Sequence, residues 1–505
     1  MLWNSRGAWS AALAAAVVTL AGAGCRGGPV AAVPDAAPQD GGTLRIALDT
    51  DPVSVTPLRG GDAAGHMIER NVFAGLVDIE PDTLRPVPSI ATSWKASGDR
   101  RTITFQLRGD VSFQAGGGPV TAETFVRDWT LLCSPDVGSP NASVLRPVEG
   151  FAECAAGSGL LSGVRALGPR TLEVKLNAPY RNFVTSLGDP ATWAFPPDRN
   201  DTADERAAFE LDPVGAGPFQ VTTMIRTLRP LGKAVTPGLV VLSRNPGYFG
   251  PRPRVGRVEL PVVSAAEHPA QVFKLYRSNV LDVLGVPPAL VDIVRADPAL
   301  RSQLIGYPKL ELTYLRAGRD VSRAERRGVA NALNPRRVVS LALGKFGQAA
   351  DGIVPLGTPG YVPEAGVPRV QTPGSFGPIT VARPTDPLLA PIVDAIVEVL
   401  TQNGLNAQIA DRGGWRVETR TLQYPAPEAA VAPFAGVTPE TRRLYTKLLA
   451  TGDEGVQVDL QRAILDQSTI VPIAFGQAEL LVASRVAGFH FDGMGAPQLR
   501  LVWLP

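Results

Sequence analysis

The stretch TFQLRGDVSFQAGGGPVTAETFVRDW, residues 104–129, contains a strand, a tight turn and a capped helix in succession. Ile103, Phe105 and Leu107 alternate with polar residues, the period-two pattern of a strand with one buried face. Phe113 precedes a turn rich in glycine, Gly116-Gly117-Gly118. Thr121 can then N-cap a helix, with Glu123 well placed in its first turn. Phe125, Val126, Trp129 and Leu132 fall on one face of that helix. A strand followed so closely by a helix is the unit of an α/β protein.

The same alternation of elements continues outward in both directions. Leu44, Ile46 and Leu48 alternate in an early strand, Leu172, Val174 and Leu176 in TLEVKL, and LVVLSRN (239–245) reads as a further strand. Ser322 to Glu325 forms a capping box. Asn334-Pro335 is an N-cap followed by proline at the first helical position. Residues 387–402 place Leu389, Ile392, Val393, Ile396 and Leu400 at helical spacing before the stop signal Gly404. The pattern predicts an α/β protein of several subdomains without an internal repeat.

Composition narrows the function classes. At 505 residues the chain is long enough for about three domains of ~150 residues. It is 45% hydrophobic and 19% charged, which suits a large core and not a disordered chain. Its 52 glycines and 47 prolines have no period, so collagen-like and solenoid readings fail. The net charge of +2 and the lack of any basic run give no sign of a nucleic-acid surface. No P-loop, HExxH, G-x-S-x-G or CxxC motif occurs, so neither an enzyme nor a cofactor is expected. His66, His268 and His490 match no metal-ligand spacing. Gly215-Ala216-Gly217 lacks the third glycine of a dinucleotide fingerprint and reads as a backbone turn.

The first 24 residues read as a secretory signal: Arg6, an apolar run from Ala8 to Ala23, then small residues up to Cys25. The run is short of the ~20 residues a spanning helix needs. Cys25 resembles the lipid-acceptor cysteine of bacterial lipoproteins, although Gly22 stands where leucine is preferred. That resemblance implies a lipid anchor and a place on the extracytoplasmic face of the cell membrane. The alternative is ordinary cleavage beside an incidental cysteine. Residues 25–41 read as a tether. Cys133 and Cys154, 21 positions apart, are expected to form a disulfide in an exported protein, the alternative being two buried thiols.

The order of segments carries a resemblance. GGTLRIAL (41–48), DPVSVTP (51–57), RNVFAGLV (70–77), PSIATSW (88–94) and the opening stretch are followed by PVGAGPFQV (213–221) and VLSRNPGYFGPRP (241–253). Then come ANALNPRRVVSLALGKFGQAADGIVP (330–355) and STIVPIAF (468–475). Together they resemble the extracellular solute-binding proteins of the dipeptide/oligopeptide class, family 5, the capture subunits of ABC importers. The resemblance implies a type II periplasmic-binding fold, with two lobes joined by hinge strands and an extra inserted subdomain in the first lobe. It places the first lobe at 42–85, 186–262 and 470–505, the inserted subdomain at 86–185 and the second lobe at 263–469. It implies a monomer that captures a peptide-like or other small polar solute between its lobes and delivers it to ABC permease subunits.

Family members that bind peptides hold the free α-amino group with an aspartate in a Trp–x–x–Asp–Tyr segment. The matching segment here is ETRTLQYPAPEAAVAPF (418–434), which puts Gln423 at the aspartate position and Arg420 at the tryptophan position. A glutamine supplies hydrogen bonds but no charge, so the resemblance points to a neutral or anionic solute. If the alignment is locally shifted, Asp411 or Glu418 takes the aspartate's place. Asp51 falls on the family's opening-loop acid, and Trp415, after Gly413-Gly414 in a polar stretch, is a candidate for stacking on solute. Asp51, Trp415, Arg420 and Gln423 are thus the expected ligand contacts. A member of the same fold that has lost capture and serves as an envelope regulator or scaffold is the competing reading.

Overall fold

The computed structural model describes residues 37–505 except 198, 200–201, 229–235, 266, 345–346, 364–376 and 492–493. The expected signal peptide, Cys25 and the tether as far as residue 36 lie outside the described residues. Among the described residues no helix is long and apolar enough to cross a membrane.

The first lobe is built on three sheets. β1 (Thr43–Arg45) pairs in parallel with β10 (Arg257–Pro261), and β9 (Leu239–Arg244) and β8 (Phe219–Ile225) complete that sheet. A ribbon of β2 (Val77–Ile79) and β3 (Pro86–Pro88) leads into an antiparallel sheet ordered β4 (Ala91–Ala96), β5 (Thr102–Leu107), β7 (Thr171–Lys175), β6 (Val164–Gly168). β5 is the strand expected from the alternation, and Ile103, Phe105 and Leu107 are buried. In the turn after it, Gly116 and Gly118 take positive φ of 74° and 83°, which glycine adopts without strain. The following helix, Ala122–Cys133, buries Phe125, Trp129 and Leu132. Phe105, Phe125 and Trp129 share one continuous core with Leu44, Phe219 and Val258. The inserted sheet therefore has no separate core of its own.

Cys133, at the end of that helix, is joined to Cys154 with Cα atoms 5.8 Å apart. Closing a loop of this size contributes ~3 kcal/mol in the chain-entropy model. Thiol labelling of denatured, unreduced protein is expected to find neither cysteine reactive, and two labelled thiols would overturn the pairing.

The second lobe is a single sheet ordered β11 (Val283–Gly285), β17 (Ile470–Val482), β12 (Leu304–Ala317), β16 (Trp415–Thr421), β14 (Ile379–Ala382), β15 (Ala407–Ala410), with β13 (Gln348–Ala349) against β17. Helices cover both faces. Ile392, Val393 and Ile396 of helix Ala390–Gln402 pack on one. Leu444 and Leu448 of helix Pro439–Thr451, with Leu460 and Ile464 of helix Glu454–Leu465, pack on the other.

β12 and β17 are the crossing strands. Ile305, Leu480 and Val482 at one end enter the first-lobe core. Further along, Leu312, Tyr314 and Phe475 enter one second-lobe core and Leu315, Val471 and Ile473 the other. Their register shifts between Pro308 and Leu312, where the lobes part. A Cβ on Gly476 would lie 2.7 Å from the Cβ of Glu311, so only glycine fits at that bend. This corrects the sequence assignment of 470–505 to the first lobe. Most of β17 belongs to the second sheet, and the chain re-enters the first core only near Leu480. An apolar strand pattern tells that a strand is buried, not which sheet it joins.

Candidate functional site

The lobes meet along a seam that begins where β16 ends. Leu422 is buried, with its N–H donated to the Leu310 carbonyl at 2.7 Å, which turns the next residues toward the first lobe. Gln423 Nε2 donates to Asn141 Oδ1 at 2.7 Å, and Asn141 Nδ2 in turn donates to the Gly60 carbonyl at 2.5 Å. The Tyr180 and Tyr424 hydroxyls lie 3.2 Å apart. Asn182 Nδ2 donates to Glu428 Oε2 at 3.3 Å. The Arg181 N–H reaches the Leu449 carbonyl at 2.8 Å, and its Nη1 the Thr451 carbonyl at 3.1 Å. Asn141 and Tyr180 to Asn182 come from the inserted subdomain and their partners from the second lobe, apart from Gly60 of the first.

Three carboxylates are buried around this seam. Glu69 on helix Ala63–Val72, Asp189 before the turn Pro190–Thr192, and Glu428 on helix Pro427–Val431 are each 2% exposed. Each has one oxygen without a hydrogen-bond partner: Glu69 Oε1, Asp189 Oδ2 and Glu428 Oε1. Among the described residues no arginine or lysine ion-pairs with any of them. Gly60 ties the group to the seam. A Cβ there would fall 1.7 Å from Glu69 Oε1, so its missing side chain leaves room for the carboxyl group.

The electrostatics follow from burial. Desolvation, reinforced by Asp189, Asp62 and Glu210, pushes Glu69 well above the usual carboxylate range. Burial raises Asp189 to about 7, against the opposing pull of the Ala191 N–H and of His66. Burial likewise raises Glu428, opposed by its own backbone and by Asn182 and Tyr180. Tyr180 and Tyr424 are pushed up first by burial and then by neighbours that include Glu428. Tyr424 also feels Asp189, so the field spans both lobes. Such carboxyl groups resist ionisation unless a positive charge or strong hydrogen-bond donors come beside them.

The four expected contacts separate. Gln423 is at the seam. Asp51 accepts the Thr227 N–H at 3.1 Å and holds a first-lobe loop. Arg420 is exposed on β16, paired across the strand with Leu312. Trp415 is a correction: it is fully buried in a second-lobe core, and its Nε1 donates to Glu325 Oε1 at 3.0 Å. β16 begins at Trp415 beside β12, and strand pairing turns the ring under the helices. Of the two alternatives, Asp411 is exposed, while Glu418 accepts from Tyr314 at 2.8 Å and Arg316 at 3.1 Å.

Sequence reasoning missed Glu69, Asp189, Glu428 and Asn141. A signal existed for two of them. Glu69 sits between the buried Ile68 and Val72 on one helix, and Glu428 opens an apolar run, Ala429-Ala430-Val431. A carboxylate on an apolar face is rare unless something compensates it.

A family model for bacterial extracellular solute-binding proteins, family 5 Middle, matches residues 85–410. The dipeptide-binding protein DppE of Bacillus subtilis is 32% identical over 183 residues, which is 35% of this chain and 33% of DppE. Protein XP55 of Streptomyces lividans is 28% identical over 371 residues, 72% of this chain and 61% of XP55. The chain thus covers from a third to three fifths of the length of these relatives. Among solved structures, the murein tripeptide binding protein MppA of Escherichia coli superposes with a TM-score of 0.77 at 18% identity, over 93% of this chain and 99% of that one. At that identity the likeness is one of fold.

Proposed function

We propose, from the premise that the chain belongs to the bacterial extracellular solute-binding proteins of family 5, that it captures a small peptide-like solute carrying a positive charge and delivers it to an ABC permease. The observation that carries the reading is the trio Glu69, Asp189 and Glu428, buried at the seam, each with an unpartnered oxygen and without an arginine or lysine ion pair among the described residues. A solute ammonium would supply the missing charge, while Gln423 would offer a neutral hydrogen-bonding group beside it. This reverses the charge preference expected from Arg420, which is exposed on β16. The protein acts as a binding module without chemistry of its own. It works as a monomer on the outer face of the membrane, tethered through Cys25.

The test uses the mature protein and a set of short peptides, each with a free or an acetylated amino terminus. A ligand at 100 times its Kd stabilises by ~2.7 kcal/mol, readily seen as a shift in Tm. Free-amine peptides are expected to shift Tm, acetylated ones to fail, and Glu428→Gln to weaken the effect. Equal binding of acetylated or anionic solutes would overturn the charge assignment. The direct bonds Gln423 to Asn141 and Asn182 to Glu428 favour a second reading, a body shut by its own residues that serves as an envelope regulator or scaffold. Absence of any peptide-induced shift would favour it.

A further inference from the structure

A second polar feature lies at the other end of the second lobe. A groove of about 1410 Å³ runs between helices Arg323–Ala332, Pro439–Thr451 and Glu454–Leu465, beside the turn that leads into β17. Helix Pro439–Thr451 gives its C-terminal end to the seam through Thr451 and its N-terminal end to the groove through Pro439. At 1.5 Å per residue the two sites are ~18 Å apart along it.

Arg323, Arg326, Arg327, Arg443 and Arg462 line this groove. Among the described residues none of the five lies within ion-pair distance of a carboxylate. Arg326 Nε is buried without a hydrogen-bond partner. The one acid of helix Arg323–Ala332, Glu325, is turned inward to Trp415, so that helix shows the groove only positive charge. The first turn of helix Pro439–Thr451 adds the positive end of its dipole.

Glu440, Asp459 and Asp466 also line the groove, and Val437 on its edge is 58% exposed. A uniform polyanion or a phospholipid surface would meet these acids with repulsion. A polypeptide segment, predominantly acidic but carrying some cationic and apolar side chains, meets all of them. The volume exceeds the ~300–1,000 Å³ of ordinary small-molecule pockets. Guanidinium forks suit carboxylates in bidentate geometry.

We propose that this groove docks an acidic polypeptide segment of a partner protein, independently of solute capture at the seam. The probe is a fluorescein-labelled dodecapeptide rich in Asp and Glu, titrated against the full mature chain at low salt and followed by anisotropy. Saturable binding is expected, weakening with added salt. The same peptide with Asn and Gln in place of its acids should bind at least tenfold more weakly. Arg327→Gln with Arg443→Gln, both exposed, should also cost at least tenfold. An unchanged Tm in each variant shows that the fold is intact. No saturable binding, or binding indifferent to the double variant, overturns the proposal. So does tighter binding of inorganic polyphosphate or of phosphatidylglycerol vesicles, which would mark a phosphate surface instead.

Discussion

Asp189→Asn is expected to stabilise the protein at about pH 8 and to flatten the fall in its stability between about pH 4 and 7. Burial holds the Asp189 carboxyl at about 7, against an ordinary 3.8. A group whose pKa is raised by folding stabilises most where both states are protonated, below about 3.8. That contribution is lost as pH rises through about 7. Three units at ~1.4 kcal/mol each put the loss on the order of 4 kcal/mol. Asparagine keeps an acceptor for the Ala191 N–H, now 3.0 Å from Oδ1, so the cap of the turn survives while the charge goes. Urea midpoints at about pH 4, 6 and 8 for both proteins decide the matter. A variant less stable at pH 8, or with an unchanged slope, would show that Asp189 is ionised at little expense in the folded protein. The same substitution should lower affinity for a cationic solute, because the charge it would meet is gone.

Trp415→Ala is expected to cost ~3–5 kcal/mol, the usual penalty for emptying an aromatic site in a core. It would also strip Glu325 of the indole N–H that it accepts at 3.0 Å. Trp415→Phe keeps most of the ring volume and should lose less than half as much. Denaturant midpoints of the two variants test this. If Trp415→Ala left stability unchanged and instead reduced solute affinity, the residue would belong to the cleft after all.

Some of the candidate site was open to reading along the chain. The short segment around Tyr424 and Pro427 points to Gln423, which stands at the seam. The neighbours of Trp415, Gly413 and Gly414 in a polar stretch, suggest exposure, yet the ring is buried. The burial comes from helices whose residues lie far off in sequence. Glu69 and Glu428 left a local trace, an acid on an apolar face, but nothing nearby says what they share. Asp189 reads as an ordinary cap, and that is one of its roles.

The elements themselves depend on neighbours within a few residues and so can be read along the chain. The alternation of β5, the glycine turn and the capped helix Ala122–Cys133 are all local, as are the ordered motifs that assign the family. That β17 crosses from one lobe to the other follows only from its pairing in the folded chain. Only the tertiary structure joined the inserted sheet to the first core and brought Glu69, Asn141, Asp189, Gln423 and Glu428 to one seam. The physical reason is common to all of these. Periodicity reports that a face is buried but not against what. The charge state of a buried acid is set by desolvation and by groups hundreds of residues away, whose positions appear only when the chain is folded.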